Sequence, residues 1–536
     1  MRAVVVASPL RSATEAGMDA VNRGGNALDA AVATAAMLAV AYPHNCGLGG
    51  DLLALVREPD GRVTFINASG AAPQAIDVDA VRSRYEAVPA HGPLPVTVPG
   101  AVGGWDAVVR RGAALSWVEL LTPAASAARD GVAVSPGLAK AIAETTPYLA
   151  AYPDLAALIA PNAEPLTFGQ TLRQPSLART LDTIARSGSG ALYDGELSND
   201  LCAGLAARGV PITRSDLREF AVAEEPPVTA EIAGWQVQAG RPNSQAYLVP
   251  RLLAMLAAVD ATNGSDTAAL YRRVSAARLA LAFAISQSER DAMLGDPRFM
   301  THDVAELLTP ESTAQFAERV LSTSLAERTT ATPKTLPTGD TVAVVAADDE
   351  GRSVSLIQSL FNGFGSLILE PTTGLILHDR GACFVLDPAS PNVLAPGKRP
   401  LHTLSPVLAE STSDTNLSDT DQSERLVVGT MGGHAQPQIL TQVLSQLFAG
   451  ASAQDAVGRP RLTVGAWQDD ESADTVAWET DLDADMRGEL SDYPGPHVPV
   501  APHHSRMGHA HAIRVTASTA STASSMDVGT DPRADG

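Results

Sequence analysis

Apolar and polar positions along this chain fall into segments of two different periods. Ala30 to Tyr42 is the longest apolar run; it falls short of the ~18–20 residues that span a bilayer and predicts a buried helix. Asn26 with Asp29 forms a capping box that opens it, and Pro43 requires it to stop. Ser12 followed by Glu15 predicts a second capping box, ahead of a helix that Gly24-Gly25 ends. Leu52 to Val56 and Val63 to Ile66, separated by Glu58-Pro59-Asp60-Gly61, predict a β-hairpin. From about 99 to 316 the pattern is helical and Ala-rich, without a fixed-period repeat. Thr341 to Ala347 is an apolar run, Asp348 to Gly351 a turn and Ser353 to Gln358 a second strand, giving another hairpin. Strands that are apolar on both faces need cover on both sides, which predicts sheets sandwiched between helix layers.

Two stretches carry neither period. Leu325 to Gly339 is dominated by Thr, Pro and Gly and predicts an exposed loop leading into Thr341. Ser411 to Glu424 is rich in Ser, Thr and Asp and predicts a solvated surface insertion.

Composition narrows the function. Lys and Arg total 38 against 60 Asp and Glu, a net charge of −22, which repels nucleic acid and anionic lipid. Cys46, Cys202 and Cys383 are odd in number and far apart, so neither a disulfide framework nor a cysteine metal site is expected. His503, His504, His509 and His511 lack a completing carboxylate or cysteine, and no metal or other cofactor is expected. Gly47-Leu48-Gly49-Gly50 lacks the spacing and the Lys-Ser/Thr of a phosphate loop and reads as a tight turn.

The candidate chemistry centres on Gly339-Asp340-Thr341-Val342-Ala343. Thr341 opens a strand directly after a Gly-Asp turn. Cleavage before it would give the threonine a free α-amine, which titrates near pH ~7.7–8 and can take the hydroxyl proton. Proteolysis would thus create a nucleophile with its own base. On this window alone, a β-branched residue opening a strand is the better description.

The flanking motifs decide between these readings. Gly24-Gly25-Asn26-Ala27-Leu28-Asp29-Ala30-Ala31, Pro43-His44-Asn45-Cys46-Gly47-Leu48-Gly49-Gly50, Val98-Pro99-Gly100, Gly363-Phe364-Gly365-Ser366, Lys398-Arg399-Pro400-Leu401, Met431-Gly432-Gly433 and Gly508-His509-Ala510-His511-Ala512 resemble, in order and along nearly the whole chain, the gamma-glutamyltransferase family. The resemblance implies an α+β fold, the four-layer αββα sandwich of N-terminal nucleophile hydrolases. It also implies a precursor cut into a large subunit, 1–340, and a small subunit, 341–536, with no cofactor. Because the family pattern starts by about Ser8, no room is left for a secretory signal, and a soluble, cytoplasmic protein is expected.

Carried over residue by residue, the resemblance makes Thr341 the nucleophile and Ser359 the hydroxyl that contacts the new α-amine. Gly432 and Gly433 become the backbone donors of an oxyanion hole. Substrate-binding positions depart from the pattern. The arginine that pairs with the substrate α-carboxylate is missing from Ser69-Gly70-Ala71-Ala72-Pro73, and the aspartate that holds the α-ammonium is replaced by Cys383. The family asparagine falls at Phe361, and Asn362 can substitute only if the strand bulges. His402-Thr403 replaces the paired serines. These changes resemble the branch with oxamate amidohydrolase-like and cephalosporin acylase-like members, in which Arg380 can supply the missing cation from the opposite wall. The expected partner is a small amide or γ-glutamyl substrate, with glutathione a poor one. The reading from another class is an uncleaved, inactive binding protein on the same scaffold.

Overall fold

The computed structural model describes residues 3–259, 269–325, 340–412, 422–467, 471–518 and 524–535. The loop expected at 326–339 and most of the surface insertion, 413–421, lie outside these residues.

Two six-stranded sheets form the centre. The strands, in chain order, are β1 (Val4–Ala7), β2 (Asp51–Arg57), β3 (Val63–Ala68), β4 (Ala223–Glu225), β5 (Val228–Ile232), β6 (Trp235–Ala239), β7 (Asp340–Asp348), β8 (Ser353–Phe361), β9 (Val407–Ser411), β10 (Gln422–Thr430), β11 (Ala510–Ser518) and β12 (Ser525–Thr530). The first sheet runs β1-β7-β8-β2-β3-β4 and the second β12-β11-β10-β9-β6-β5. Every pairing in both sheets is antiparallel.

Alternation along β7 explains the layering. Ala343, Val345 and Ala347 pack between the sheets with Leu53, Phe65, Ile357, Val427 and Ile513. Val342, Val344 and Ala346 point the other way, into a core shared with helices α1 (Arg11–Asn22), α2 (Ala27–Ala41), α3 (Ala101–Val109), α4 (Trp117–Asp130) and α5 (Pro175–Ser187). On the outer face of the second sheet, Val407, Leu426, Val428 and Ala512 meet α6 (Leu248–Ala258), α7 (Ala276–Met293) and α8 (Gln436–Phe448). This is the expected αββα order, and period-two strands with apolar residues on both faces require it.

The capping box at Asn26 is present: its side chain accepts from Leu28 and Asp29, and the Asp29 carboxylate accepts from the Asn26 N–H at 2.8 Å. The one expected at Ser12 is not. The first helix begins at Arg11, and Leu10, its N-cap, makes no side-chain cap. The carbonyl of Leu10 already accepts from Ala13 and Thr14, so Ser12 sits inside the first turn and Glu15 pairs with Arg11 at 2.9 Å.

The stretch expected to be helical from about 99 to 316 also contributes β4, β5 and β6. Val228–Ile232 and Trp235–Ala239 are joined by Ala233-Gly234, both with positive φ (50° and 81°), the pattern of a type I′ hairpin turn. Ala at the first turn position hid this hairpin from a reading that looks for Asn or Gly there. Among the described residues no helix is long and apolar enough to cross a membrane.

Candidate active site

Thr341 is the second residue of β7 and is 1% exposed. It shares the inter-sheet face with Ala343, since alternate residues of a strand point the same way. Its hydroxyl donates to Ser359 Oγ at 3.1 Å, and its carbonyl accepts from Asn45 Nδ2 at 3.4 Å. The β7–β8 register shifts between Gln358 and Phe361. This is the bulge that the Asn362 substitution required. It leaves Phe361 at φ 80°, with its N–H donating to Ser359 Oγ at 2.8 Å. On the other side of β8, Ser359 is in register with Asp51 of β2. Thr341, Ser359 and Asp51 therefore form a row across one end of the first sheet.

Arg380 lies against this row, fully buried, with its guanidinium 4.2 Å from the Phe361 ring centroid. Its Nη2 approaches Ser359 Oγ at 3.5 Å, Nη1 donates to Thr403 Oγ1 at 3.1 Å and to Cys383 Sγ at 3.8 Å, and Nε lies 3.7 Å from Asp51. Burial pushes the Cys383 thiol up to about 11, so it stands there as a neutral group and cannot act as the anion the family places at that position.

Gly432 and Gly433 follow β10 and lead into α8. Ser355 Oγ donates to Val428 O at 2.8 Å, and a Cβ on Gly429 would meet Ala343 and Ile357 at 3.1 and 2.9 Å. The end of β10 thus crosses the start of β7, and the glycine pair continues toward the Thr341 end. Gln245 fixes it there: its Nε2 donates both to Thr403 O at 3.0 Å and to Gly433 O at 3.1 Å, and Arg290 holds its Oε1 at 2.7 Å. Positive φ values of 133° and 51° account for glycine at both positions, and a Cβ on Gly432 would also strike Ile439 at 2.6 Å.

Of the eight sequence candidates, six fall into one constellation of contacts that runs through Asp51 and Gln245: Thr341, Ser359, Arg380, His402, Thr403 and Gly433; Gly432 precedes Gly433 in the chain. Asn362 does not join it. Both its N–H, at 3.0 Å, and its side-chain amide are taken by Asp379. Burial, partly offset by those bonds, pushes the Asp379 carboxyl up to about 6.

Two site residues escaped the sequence reading. One oxygen of Asp51 lies 3.1 Å from His378 Nδ1 and 3.1 Å from His402 Nε2, while the other accepts the Gly70 N–H at 3.1 Å. Burial pushes the Asp51 carboxyl up, but His378 and His402 outweigh it and hold the group well below the usual carboxylate range. Burial, followed by the charge of Arg380, pushes His402 down to about 4. Asp51 directly follows the Gly47–Gly50 turn, and a carboxylate opening an otherwise apolar strand was the available signal. The turn itself leaves no room for side chains: a Cβ on Gly49 would lie 2.2 Å from Ile376 O and one on Gly50 2.4 Å from Ser359 O.

Beyond Asp51, a cavity of about 290 Å³ opens beside Ser69 and Ala71, where the family arginine is missing, and is also lined by Gln74, Arg298 and Arg399. Among the described residues no group of three His, Cys, Asp or Glu is arranged to hold a metal. The C-terminal histidines do not form such a group, and burial pushes His509 to about 4 and His511 to about 3.

The profile described as gamma-glutamyltranspeptidase matches residues 13–536. The chain belongs to that family. Among its gamma-glutamyltranspeptidase relatives is the oxamate amidohydrolase proenzyme of Klebsiella pneumoniae, 34% identical over 85% of this chain and 84% of that one. The glutathione hydrolase-like YwrD proenzyme of Bacillus subtilis is 31% identical over 99% and 97%. Among solved structures, cephalosporin acylase from Bacillus halodurans superposes with a TM-score of 0.85 at 28% identity, over 100% of this chain and 95% of that one. The family and these relatives make the chain an enzyme with the N-terminal nucleophile hydrolase fold.

Proposed function

We propose that this protein is a self-cleaving amidohydrolase in which Thr341 is the nucleophile and the preferred substrate is a short acyl amide bearing one carboxylate, such as oxamate. The observation that carries the reading is the line of contacts from Thr341 Oγ1 to Ser359 Oγ and on to Arg380.

Maturation starts when Thr341 Oγ1 attacks the carbonyl carbon of Asp340. The peptide C–N bond breaks, an ester forms and the α-amine is released; water then hydrolyses the ester. The products are the subunits 1–340 and 341–536. The α-amine is now the base for the same hydroxyl. In turnover Oγ1 attacks the substrate carbonyl, and the N–H groups of Gly432 and Gly433 stabilise the oxyanion. The amine leaves, and water, or an acceptor amine in the transfer reaction, resolves the acyl-enzyme.

Geometry favours a short acyl group. Attack needs the carbonyl carbon within ~3–3.5 Å of Oγ1, and a carboxylate must sit ~2.8 Å from a guanidinium nitrogen. With Arg380 only two contacts from Oγ1, of 3.1 and 3.5 Å, little chain fits between the two groups. The relatives named oxamate amidohydrolase and cephalosporin acylase agree with a donor other than glutathione. So does the loss of both glutamyl-head anchors. The test is kcat/KM for oxamate, simple acyl amides and a γ-glutamyl anilide on the cleaved protein. Selective turnover of the γ-glutamyl donor, indifferent to Arg380→Ala, would contradict the substrate assignment.

A further inference from the structure

Thr341 lies against an irregular stretch of its neighbour strand. Val342 is in register with Gln358 and Asp340 with Phe361, so Ser359 and Leu360 together face the single Thr341, as in a β-bulge. The backbone of Leu360 is engaged elsewhere: its N–H donates to Asn45 O at 2.9 Å and its carbonyl accepts from Asp379 N at 3.2 Å. Asn45 reaches across this break from the loop after α2. Its carbonyl takes the Leu360 N–H, and its side-chain Nδ2 donates to the Thr341 carbonyl at 3.4 Å. The loop is pinned on both sides, with Asn45 N–H donating to Tyr42 O at 3.1 Å and Phe364 N–H to His44 O at 2.8 Å. Asn45 is 2% exposed. Turning its amide over would set two oxygens against each other, so Nδ2 is the atom on the Thr341 carbonyl. Oδ1 is thereby left buried and, in the uncut chain, without a hydrogen-bond partner among the described residues.

A buried acceptor left unpaired costs free energy, and cutting the chain before Thr341 supplies what it lacks. A peptide nitrogen carries one N–H; a neutral α-amine carries two, together with the lone pair that has to face Oγ1. A carboxamide presents its nitrogen and oxygen side by side, about 2.2 Å apart. It can therefore meet the carbonyl and the nitrogen of one strand residue as a ladder neighbour does. Resting on the reading of Thr341 as a nucleophile released by cleavage, we propose that Asn45 is the positioning residue of the mature N-terminus: Nδ2 keeps the Thr341 carbonyl and Oδ1 accepts an N–H of the released α-amine. The amine is then fixed in rotation about its Cα–N bond, with its lone pair left for the proton of Oγ1. Cleavage removes the tether through Asp340, so contacts of this kind take over the placing of Thr341. Ser359 lies on the hydroxyl side of the same residue, and Asn45 serves the backbone side.

Asn45→Ala keeps the backbone bond to Leu360 and removes only the carboxamide. It should still be cut before Thr341, because attack on the Asp340 carbonyl needs no free amine, but kcat should fall about ten- to a hundredfold with KM little changed. The isosteric Asn45→Asp puts a carboxylate beside the amine. An adjacent opposite charge favours the protonated amine, so the acid limb of kcat/KM should move up by about one pH unit or more. A merely structural role of the loop would lower activity without moving that limb, and an unmoved limb overturns the proposal. The wild type gives a readout that depends on no variant. In a crystal structure of the cleaved enzyme, Asn45 Oδ1 should lie within about 3.2 Å of the Thr341 nitrogen. A side chain turned away from that nitrogen overturns the proposal even where the variants fail to fold or mature. A wild type that mass spectrometry finds as one chain removes the nucleophile reading and this proposal together; a cleaved, active wild type with an unmoved limb in Asn45→Asp removes this one alone.

Discussion

A threonine hydroxyl is a weak nucleophile unless a base lies within hydrogen-bond reach, and among the described residues of the intact chain Thr341 Oγ1 bonds to Ser359, a hydroxyl and not a base. In the proposed mechanism the missing base is the amine that cleavage before Thr341 would release. Thr341→Ala should therefore remain one chain and hydrolyse nothing, while Thr341→Ser should mature and retain some turnover. Replacing Arg380 should act on recognition instead. Arg380→Ala should lower kcat/KM for anionic amides by about a hundredfold, and Arg380→Lys should restore little of it, because a point charge does not reproduce the planar fork held between Thr403, Ser359 and Phe361. Full rescue by lysine would show that charge alone is read. At this scale the sequence exposed residues whose type is unusual for their place, such as Thr341 after Gly-Asp and Arg380 beside Cys383. It did not expose Asp51 and His378, because they become neighbours only when Leu377-His378 pairs with Gly49. Nor did it expose the pairing of Asn362 with Asp379, a partner that adjacency in sequence does not reveal.

At the scale of elements, the bulge in β8 and the Gly432-Gly433 corner do the positioning. Placing alanine at Gly433, with φ 51°, removes no N–H but strains the turn at a cost of about 1 kcal/mol and shifts a proposed oxyanion donor. Turnover should fall by ~10²–10³ with maturation less affected; unchanged turnover in cleaved protein would leave the pair as a turn only. The hairpin of β5 and β6 gives a prediction away from the site. Ala233 adopts φ 50°, a conformation that costs a non-glycine residue ~1 kcal/mol, so Ala233→Gly should stabilise the protein in urea by a few tenths to 1 kcal/mol. A loss of stability would refute the turn assignment. Long apolar runs such as α2 and β7 were legible because burial on every side leaves an unmistakable signature. Short strands were not, since β4 to β6 owe their place to partners far away in sequence.

Taken as a whole, the molecule buries several histidines that acid must charge. Burial pushes His44 and His511 to about 3 and His402 and His509 to about 4. A group with a depressed folded pKa contributes stability that is present above its unfolded value near 6.5 and is lost as pH falls toward the folded value. Asp379 has the opposite sign: its raised value, about 6, means that its contribution is present at low pH and fades as pH rises from about 4 to 6. Four histidines oppose one carboxyl, so the urea midpoint should be lower at pH 5 than at pH 7.5. A midpoint that rises on acidification would contradict this burial pattern. The central claim, that Thr341 becomes the N-terminus and the nucleophile, is tested most directly by intact-mass spectrometry with N-terminal sequencing of the purified wild type and Thr341→Ala. The account predicts two chains for the wild type, the smaller beginning Thr341-Val342-Ala343-Val344, and one uncut chain for the variant. A wild type that stays whole while active, or a variant that cleaves at the same bond, would contradict it.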